Sequence, residues 1–230
     1  MISLSNVSFS VTTHDEADYS IKHTLTNLLR SQKTKMNSET QVPIFESLNL
    51  EVRAGESLGL LGQNGVGKTT LLRLISGILT PSSGNITIGG RVRCLIQPLS
   101  GIIEQATGEE NIILKGLEFR LSHSEINKHI DEVKKFVDLG KYINRPVYTY
   151  STGMKTRLAV GIQILGDFDI LVIDEGIGTT DEYFRPKITD LLNRLRSNSK
   201  CLVMASHDKE LLMSNTSRIV KIQNGAIVEH

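Results

Sequence analysis

The sequence predicts an α/β fold, and three stretches carry that prediction. Leu58 to Leu72 (LGLLGQNGVGKTTLL) gives an apolar strand, a glycine-rich loop and a leucine-rich helix start. Ile170 to Ile173 is an unbroken β-branched and leucine run, the pattern of a strand buried on both faces, and it ends on Asp174-Glu175. Between these two, Ile112, Leu114, Leu117, Leu121, Ile126, Ile130, Val133, Val137 and Leu139 recur at helical spacing. Strands that alternate with helices imply a sheet covered by helices.

Taken in order, Ile2 to Val11 predicts a strand with Leu4, Val7 and Phe9 as its apolar members. A polar insertion follows at about 12–43, longer than a plain loop in a compact domain should be. Within it Ile21, Leu25, Leu28 and Leu29 fall on one face of an amphipathic helix, with Asp18 placed to cap it. Two readings of that helix stay open: it folds back on the domain, or it stands where the domain meets a membrane partner. Ile44 to Val52 alternates as a second strand and closes in the turn Arg53-Ala54-Gly55-Glu56. After the central loop, Leu71 to Leu79 continues a helix that the breakers Thr80-Pro81-Ser82-Ser83-Gly84 end. Asn85 to Ile88 and Arg91 to Ile96 predict two short strands, with Gln97 just beyond. A helical subdomain is expected at about 98–154, and Ser151 to Leu165 begins another helix. Arg185 to Ser197 then predicts a helix, Cys201 to Ala205 a strand, and Ser217 to Glu229 a pair hinged on Asn224-Gly225.

Composition narrows the function classes. A chain of 230 residues fits one large domain or two small ones, and 39% hydrophobic content is enough to build a packed core. Lys+Arg of 26 against Asp+Glu of 25 gives no bulk charge to hold nucleic acid, so none is expected as a partner. Cys94 and Cys201 are too few and too far apart for a disulfide framework or a zinc cluster, and they fit a reducing compartment. Met1 to Val11 lacks the charged start and apolar core of a signal peptide, and no apolar run approaches the ~20 residues needed to cross a bilayer. A soluble chain is the expectation.

The chemistry lies at strand ends. Gly62, Gln63, Asn64, Gly65, Val66 and Gly67 form a loop whose backbone N–H groups can turn inward around phosphate oxygens, and the helix that follows adds its positive end. Lys68 would reach the β- and γ-phosphates, Thr69 would place its hydroxyl on Mg²⁺, and Thr70 would bond an α-phosphate oxygen. Asp174 can hold the water shell of the same ion, and Glu175 can orient or deprotonate an attacking water. His207 follows another strand; its imidazole could contact a γ-phosphate, but read alone it is better explained as the neighbour of a helix cap. Gln97 is commonplace by itself. Ser151-Thr152-Gly153 opens a second helix start suited to an anion. One such end is already supplied, so this one needs a second phosphate or a second chain.

In this order and spacing the loop, Gln97, Ser151 to Met154, Asp174-Glu175, Asp181 and His207 resemble an ABC-transporter nucleotide-binding domain over nearly the whole chain. The resemblance implies a P-loop NTPase with a RecA-like core, an antiparallel β region and a helical subdomain, and it implies ATP and Mg²⁺ as cofactors. It also implies a head-to-tail homodimer in which Ser151 and Gly153 of one copy touch the γ-phosphate held by the other, with Asp181 at the interface. Glu175 and His207 become catalytic, and Gln97 joins Thr69 and Asp174 at the ion. A narrower resemblance is to the ATPases of bacterial exporters of O-antigen, capsule and teichoic acid. It is carried by YSTGMKTRLA at 150–159, TGEENI at 107–112 and DEGIGTTDEYF at 174–184. This implies export of a lipid-linked polysaccharide, two copies of a polytopic permease as partner, and a peripheral place on the cytoplasmic face of the bacterial inner membrane. Importers and soluble ATPases of the same family are the alternatives. Thr152, Gly176 and Thr180 depart from the exporters' pattern, and Phe9 and Tyr19 are the candidates for an adenine-stacking ring.

Overall fold

A computed structural model describes residues 1–13, 40–97, 99–174 and 182–229. The expected helix near Ile21 with Asp18 and Tyr19, and the predicted site residues Glu175 and Asp181, lie outside the described residues. Strands β1 (Ile2–Thr13) and β2 (Thr40–Val52) pair antiparallel from Ile2↔Val52 out to Thr13↔Thr40. Both run past the expected ends at Val11 and Ile44, because Val11, Thr12, Thr13, Thr40 and Val42 are β-branched and suit a ladder. The β4 strand (Ser83–Ile88) pairs with the other edge of β1 and gives the sheet order β2-β1-β4.

The second sheet holds β3 (Ser57–Leu61), β5 (Val92–Leu95), β6 (Ile170–Ile173), β7 (Cys201–Ser206), β8 (Arg218–Gln223) and β9 (Ala226–Glu229), in the order β5-β6-β7-β3-β8-β9. Every neighbouring pair is parallel except β8 with β9, so the carboxyl ends of the parallel strands share one edge. Alternation splits the core into two. Ile170, Val172, Cys201, Val203 and Ala205 pack with Leu71, Leu72, Leu74 and Ile75 of α1 (Lys68–Ile75) and with the antiparallel sheet. Leu171, Ile173, Leu202 and Met204 pack with the helices on the other face. Each such fully buried aliphatic side chain contributes about 1.5–3 kcal/mol.

The helical lobe comprises α2 (Gly108–Glu118), α3 (His123–Val137), the 3-10 turns Gly140–Asn144 and Val147–Thr149, and α4 (Thr152–Gln163). Thr107 and Glu110 form a capping box at the start of α2, and Ser122 and Glu125 form another at the start of α3. The bonds from Thr107 and from Ser122 hold the Glu110 and Glu125 carboxyls below their ordinary range. Helices α3 and α4 meet at Gly161, where a Cβ would lie 2.1 Å from Val137 Cγ1. Arg93 of β5 fastens the lobe to the sheet: its buried guanidinium stacks 3.7 Å from the Phe119 ring centroid and donates to the Leu165 carbonyl at 3.3 Å. Burial, assisted by Arg91, lowers its pKa to about 10, so it stays charged at neutral pH. The remaining helices, α5 (Arg185–Ser197) and α6 (Lys209–Asn215), flank the return strands.

Gly161→Ala is expected to force α3 away from α4 and to lower unfolding free energy by about 1–3 kcal/mol, read from the midpoint of a urea titration.

Candidate functional site

Strand β3 brings the chain to the carboxyl edge of the sheet at Leu61, and Gly62 opens the loop. A Cβ at Gly62 would lie 2.7 Å from Val66 Cγ1, so the turn closes only without a side chain. Gly65 and Gly67 take φ of 82° and 104°, in the left-handed region. Helix α1 then starts at Lys68, with no side-chain cap from Gly67 and no acidic residue in its first turn. Its positive end is therefore not offset by an acidic side chain of its own first turn. The cavity in front measures about 380 Å³ and is bordered by Asn64, Gly65, Lys68, Thr69, Thr70 and Asp174.

Two hydrogen-bond sets shape this cavity. Lys68, only 6% exposed, donates from Nζ to the carbonyls of Gly62 at 2.8 Å and Gln63 at 3.1 Å. Thr69 donates its hydroxyl to Asp174 Oδ2 at 2.6 Å, across 105 residues of sequence. The Asp174 backbone N–H is itself anchored on the Leu95 carbonyl at 3.1 Å. A hydroxyl beside a carboxylate is the hard-oxygen donor set that Mg²⁺ takes, and the two residues fit that ion. Among the described residues no three His, Cys, Asp or Glu side chains gather into a metal cage. An ion here would share its shell with phosphate oxygens and water.

Beyond the loop and Asp174, the other predicted residues that are described do not border this cavity. Gln97 is exposed and borders the adjoining groove of about 430 Å³ rather than the loop cavity, while Ile96 borders both. Ser151 caps α4, accepting from the Met154 N–H at 3.2 Å. Neither Ser151 nor Gly153 borders the loop cavity of its own chain. His207 is exposed just beyond β7, and the cap of α6 is its neighbour Asp208, which accepts from the Leu211 N–H at 3.1 Å.

The sequence carried no sign of how Tyr183 and Phe184 are held. Phe184 is fully buried, its ring edge-on to Phe136 with centroids 5.1 Å apart. Tyr183 donates its hydroxyl to Asp138 Oδ2 at 2.8 Å, and Lys187 adds a 3.1 Å bond to the same oxygen. The Arg157 guanidinium, on the helix that Ser151 opens, lies 5.2 Å from the Tyr183 ring centroid. These bonds from Tyr183 and Lys187, with minor help from Arg157, hold the Asp138 carboxyl below its ordinary range. Asp138 ends α3 with φ of 52°, a conformation that aspartate and asparagine tolerate.

Comparison with known proteins agrees with this geometry. The family described as "ABC transporter" matches residues 45–178. The O-antigen export system ATP-binding protein RfbB of Myxococcus xanthus is 36% identical over 79% of this chain and 42% of its own length. The teichoic acids export ATP-binding protein TagH of Levilactobacillus brevis is 36% identical over 88% of this chain and 58% of its own. ABC transporter protein AbcA of Aeromonas salmonicida is 35% identical over 84% and 64%. The chain thus spans between 42% and 64% of the length of these relatives. Among solved structures, the ATP-binding cassette MJ0796, a dimer bound to ADP and Pi, shares the fold with a TM-score of 0.77 over 99% of this chain and 96% of its own, at 22% identity.

Lys68→Ala should weaken binding of a Mg²⁺-triphosphate by about ten- to hundredfold in calorimetry, as loss of charge-assisted bonds requires. The Asp138 contribution has the sign of a depressed carboxylate: it is present above the unfolded pKa, near 4, and is lost as pH falls through the lower folded value. Thermal midpoints of the parent and Asp138→Asn should therefore differ most at neutral pH and converge below pH of about 4.

Proposed function

The chain belongs to the ABC transporter family, and we propose that it is the ATP-binding and ATP-hydrolysing subunit of an exporter of lipid-linked cell-surface polysaccharide. The observation that carries the ATPase reading is the meeting of Lys68, Thr69 and Asp174 in one cavity at the carboxyl edge of a parallel sheet. The export reading is supported by relatives named for O-antigen and teichoic acid export.

In this reading the loop N–H groups and the positive end of α1 seat the β-phosphate, and Lys68 exchanges its carbonyl partners for β- and γ-oxygens. Mg²⁺, held by Thr69 and Asp174 with Gln97 entering from the adjoining groove, supplies charge neutralisation on those oxygens. Glu175 orients the attacking water, and His207 steadies the γ-phosphate from the end of β7. Ser151 and Gly153 present the start of α4 to the γ-phosphate of a second copy, so the working form is a head-to-tail homodimer with Asp181 at the interface. Closure of the dimer moves the lobe, and the groove beside Gln97 passes that motion to two copies of a polytopic permease. Among the described residues no helix is long and apolar enough to cross a membrane. The proposed place is accordingly peripheral, on the cytoplasmic face of the bacterial inner membrane.

Glu175→Gln should bind ATP, lose steady hydrolysis by at least about a hundredfold and accumulate as a dimer. Purified from detergent-solubilised membranes of its native cells, this variant should bring down a polytopic membrane protein together with a lipid-linked glycan. Recovery from the soluble fraction with ribosomal or DNA-repair proteins would overturn the export reading and leave the ATPase reading standing.

A further inference from the structure

We propose that Glu104 is a positioning residue for the start of α4: it brackets Ser151 between two contacts and so sets where Ser151 and Gly153 meet the γ-phosphate held by a second copy. This rests on the head-to-tail reading above.

The Lys155 backbone N–H donates to the Ser151 carbonyl at 3.0 Å, so Lys155 belongs to the first turn of α4. A positive charge there opposes the positive end of the helix. The Lys155 ammonium is paired with the Glu104 carboxylate, which offsets that charge. On the other side of Ser151, the Tyr148 N–H donates to the Glu104 carbonyl at 2.9 Å. One residue thus holds the chain both before and after the serine, by its backbone on one side and by its carboxylate on the other.

Glu104 can do this because its own backbone is braced. Asn111, 1% exposed, accepts the Ile103 N–H on Oδ1 at 2.8 Å and donates from Nδ2 to the carbonyls of Ile103 and Thr107, both at 2.9 Å. A buried amide bonded in both directions is costly to displace, since each broken bond leaves a polar group unpaired. The Val147 N–H adds a 2.9 Å bond to the Ala106 carbonyl. Against this frame the Glu104–Lys155 pair is the adjustable part, with side chains 55% and 20% exposed. An ion pair so open to water adds little to folding. Its effect is on the direction of the first turn of α4. Ile102, two residues before Glu104, borders the groove beside Gln97, so the segment that brackets Ser151 is also a wall of that groove.

The test is sedimentation velocity of Glu175→Gln protein over a range of ATP concentrations with Mg²⁺, alone and with Glu104→Gln, Lys155→Gln or both added, beside calorimetry of each protein with MgADP. Each added single substitution is expected to raise the ATP needed for half-maximal dimer by about fivefold, because a head-to-tail dimer contains the pair twice. The two together should raise it no further than either alone. MgADP has no γ-phosphate for Ser151 to meet, so its affinity should stay within about twofold throughout. A Glu104→Gln protein that dimerises at the same ATP concentration or a lower one overturns the bracket, and so does a double substitution whose shift is the product of the two single shifts. Loss of MgADP affinity in step with dimerisation would mean a damaged fold and overturns it too. If Glu175→Gln protein alone stays monomeric in saturating ATP, the head-to-tail reading fails and the bracket with it.

Discussion

Parallel pairing of β3, β6 and β7 is the constraint on which the site depends. The register Leu61↔Ser206 and Ile173↔Met204 sets where Gly62, His207 and Asp174 leave the sheet, all at one edge. That register is hard to shift, because both faces of β6 and β7 are buried in different cores. A slip of one residue would send Leu171 and Leu202 towards α1 and Val172 and Val203 towards the lobe, so every packed volume would change at once. The 2.6 Å bond from Thr69 to Asp174 is a product of that register rather than its cause.

The lobe is joined to this frame at few but well-defined places. Arg93 ties it to β5, a strand that leads directly to Gln97, through one ring face and one carbonyl. The Tyr183–Asp138–Lys187 contacts tie the end of α3 to the segment that follows Asp181. Since Gly161 lets α3 and α4 approach at backbone distance, a displacement of α3 is also a displacement of the helix that Ser151 opens. The residues from Tyr183 to Lys187 thus reach the lobe through contacts that are short, specific and partly charged.

Much of this was legible in the sequence, for reasons that differ between parts. The loop from Gly62 to Thr70 is local: its glycine spacing and the following Lys-Thr lie in one short stretch, so the motif is legible from spacing alone. The α/β class was legible because the helical period of 112–139 and the apolar run at 170–173 are strong and distinct signals. Arg93 was not legible, since a lone charged residue in a four-residue strand reads as surface until Phe119 and Leu165 close over it. Ile44 and Phe45 were read only as strand residues, because their contact with Gly67 depends on a bulge that shifts the register between Phe9 and Ser10. Long-range register, unlike turn chemistry, leaves little trace in a single chain.

The hydrogen bonds within the loop cavity set a threshold for what can enter it. Lys68 already holds two carbonyl oxygens, and Thr69 already holds a carboxylate. A small monovalent anion would have to displace these bonds while offering one charge in return, and would gain little. A chain of phosphates brings several oxygens and several charges to the same donors at once, so the exchange favours it strongly. The same three donor contacts that shape the loop would thus favour a ligand in proportion to the number of charged oxygens it carries.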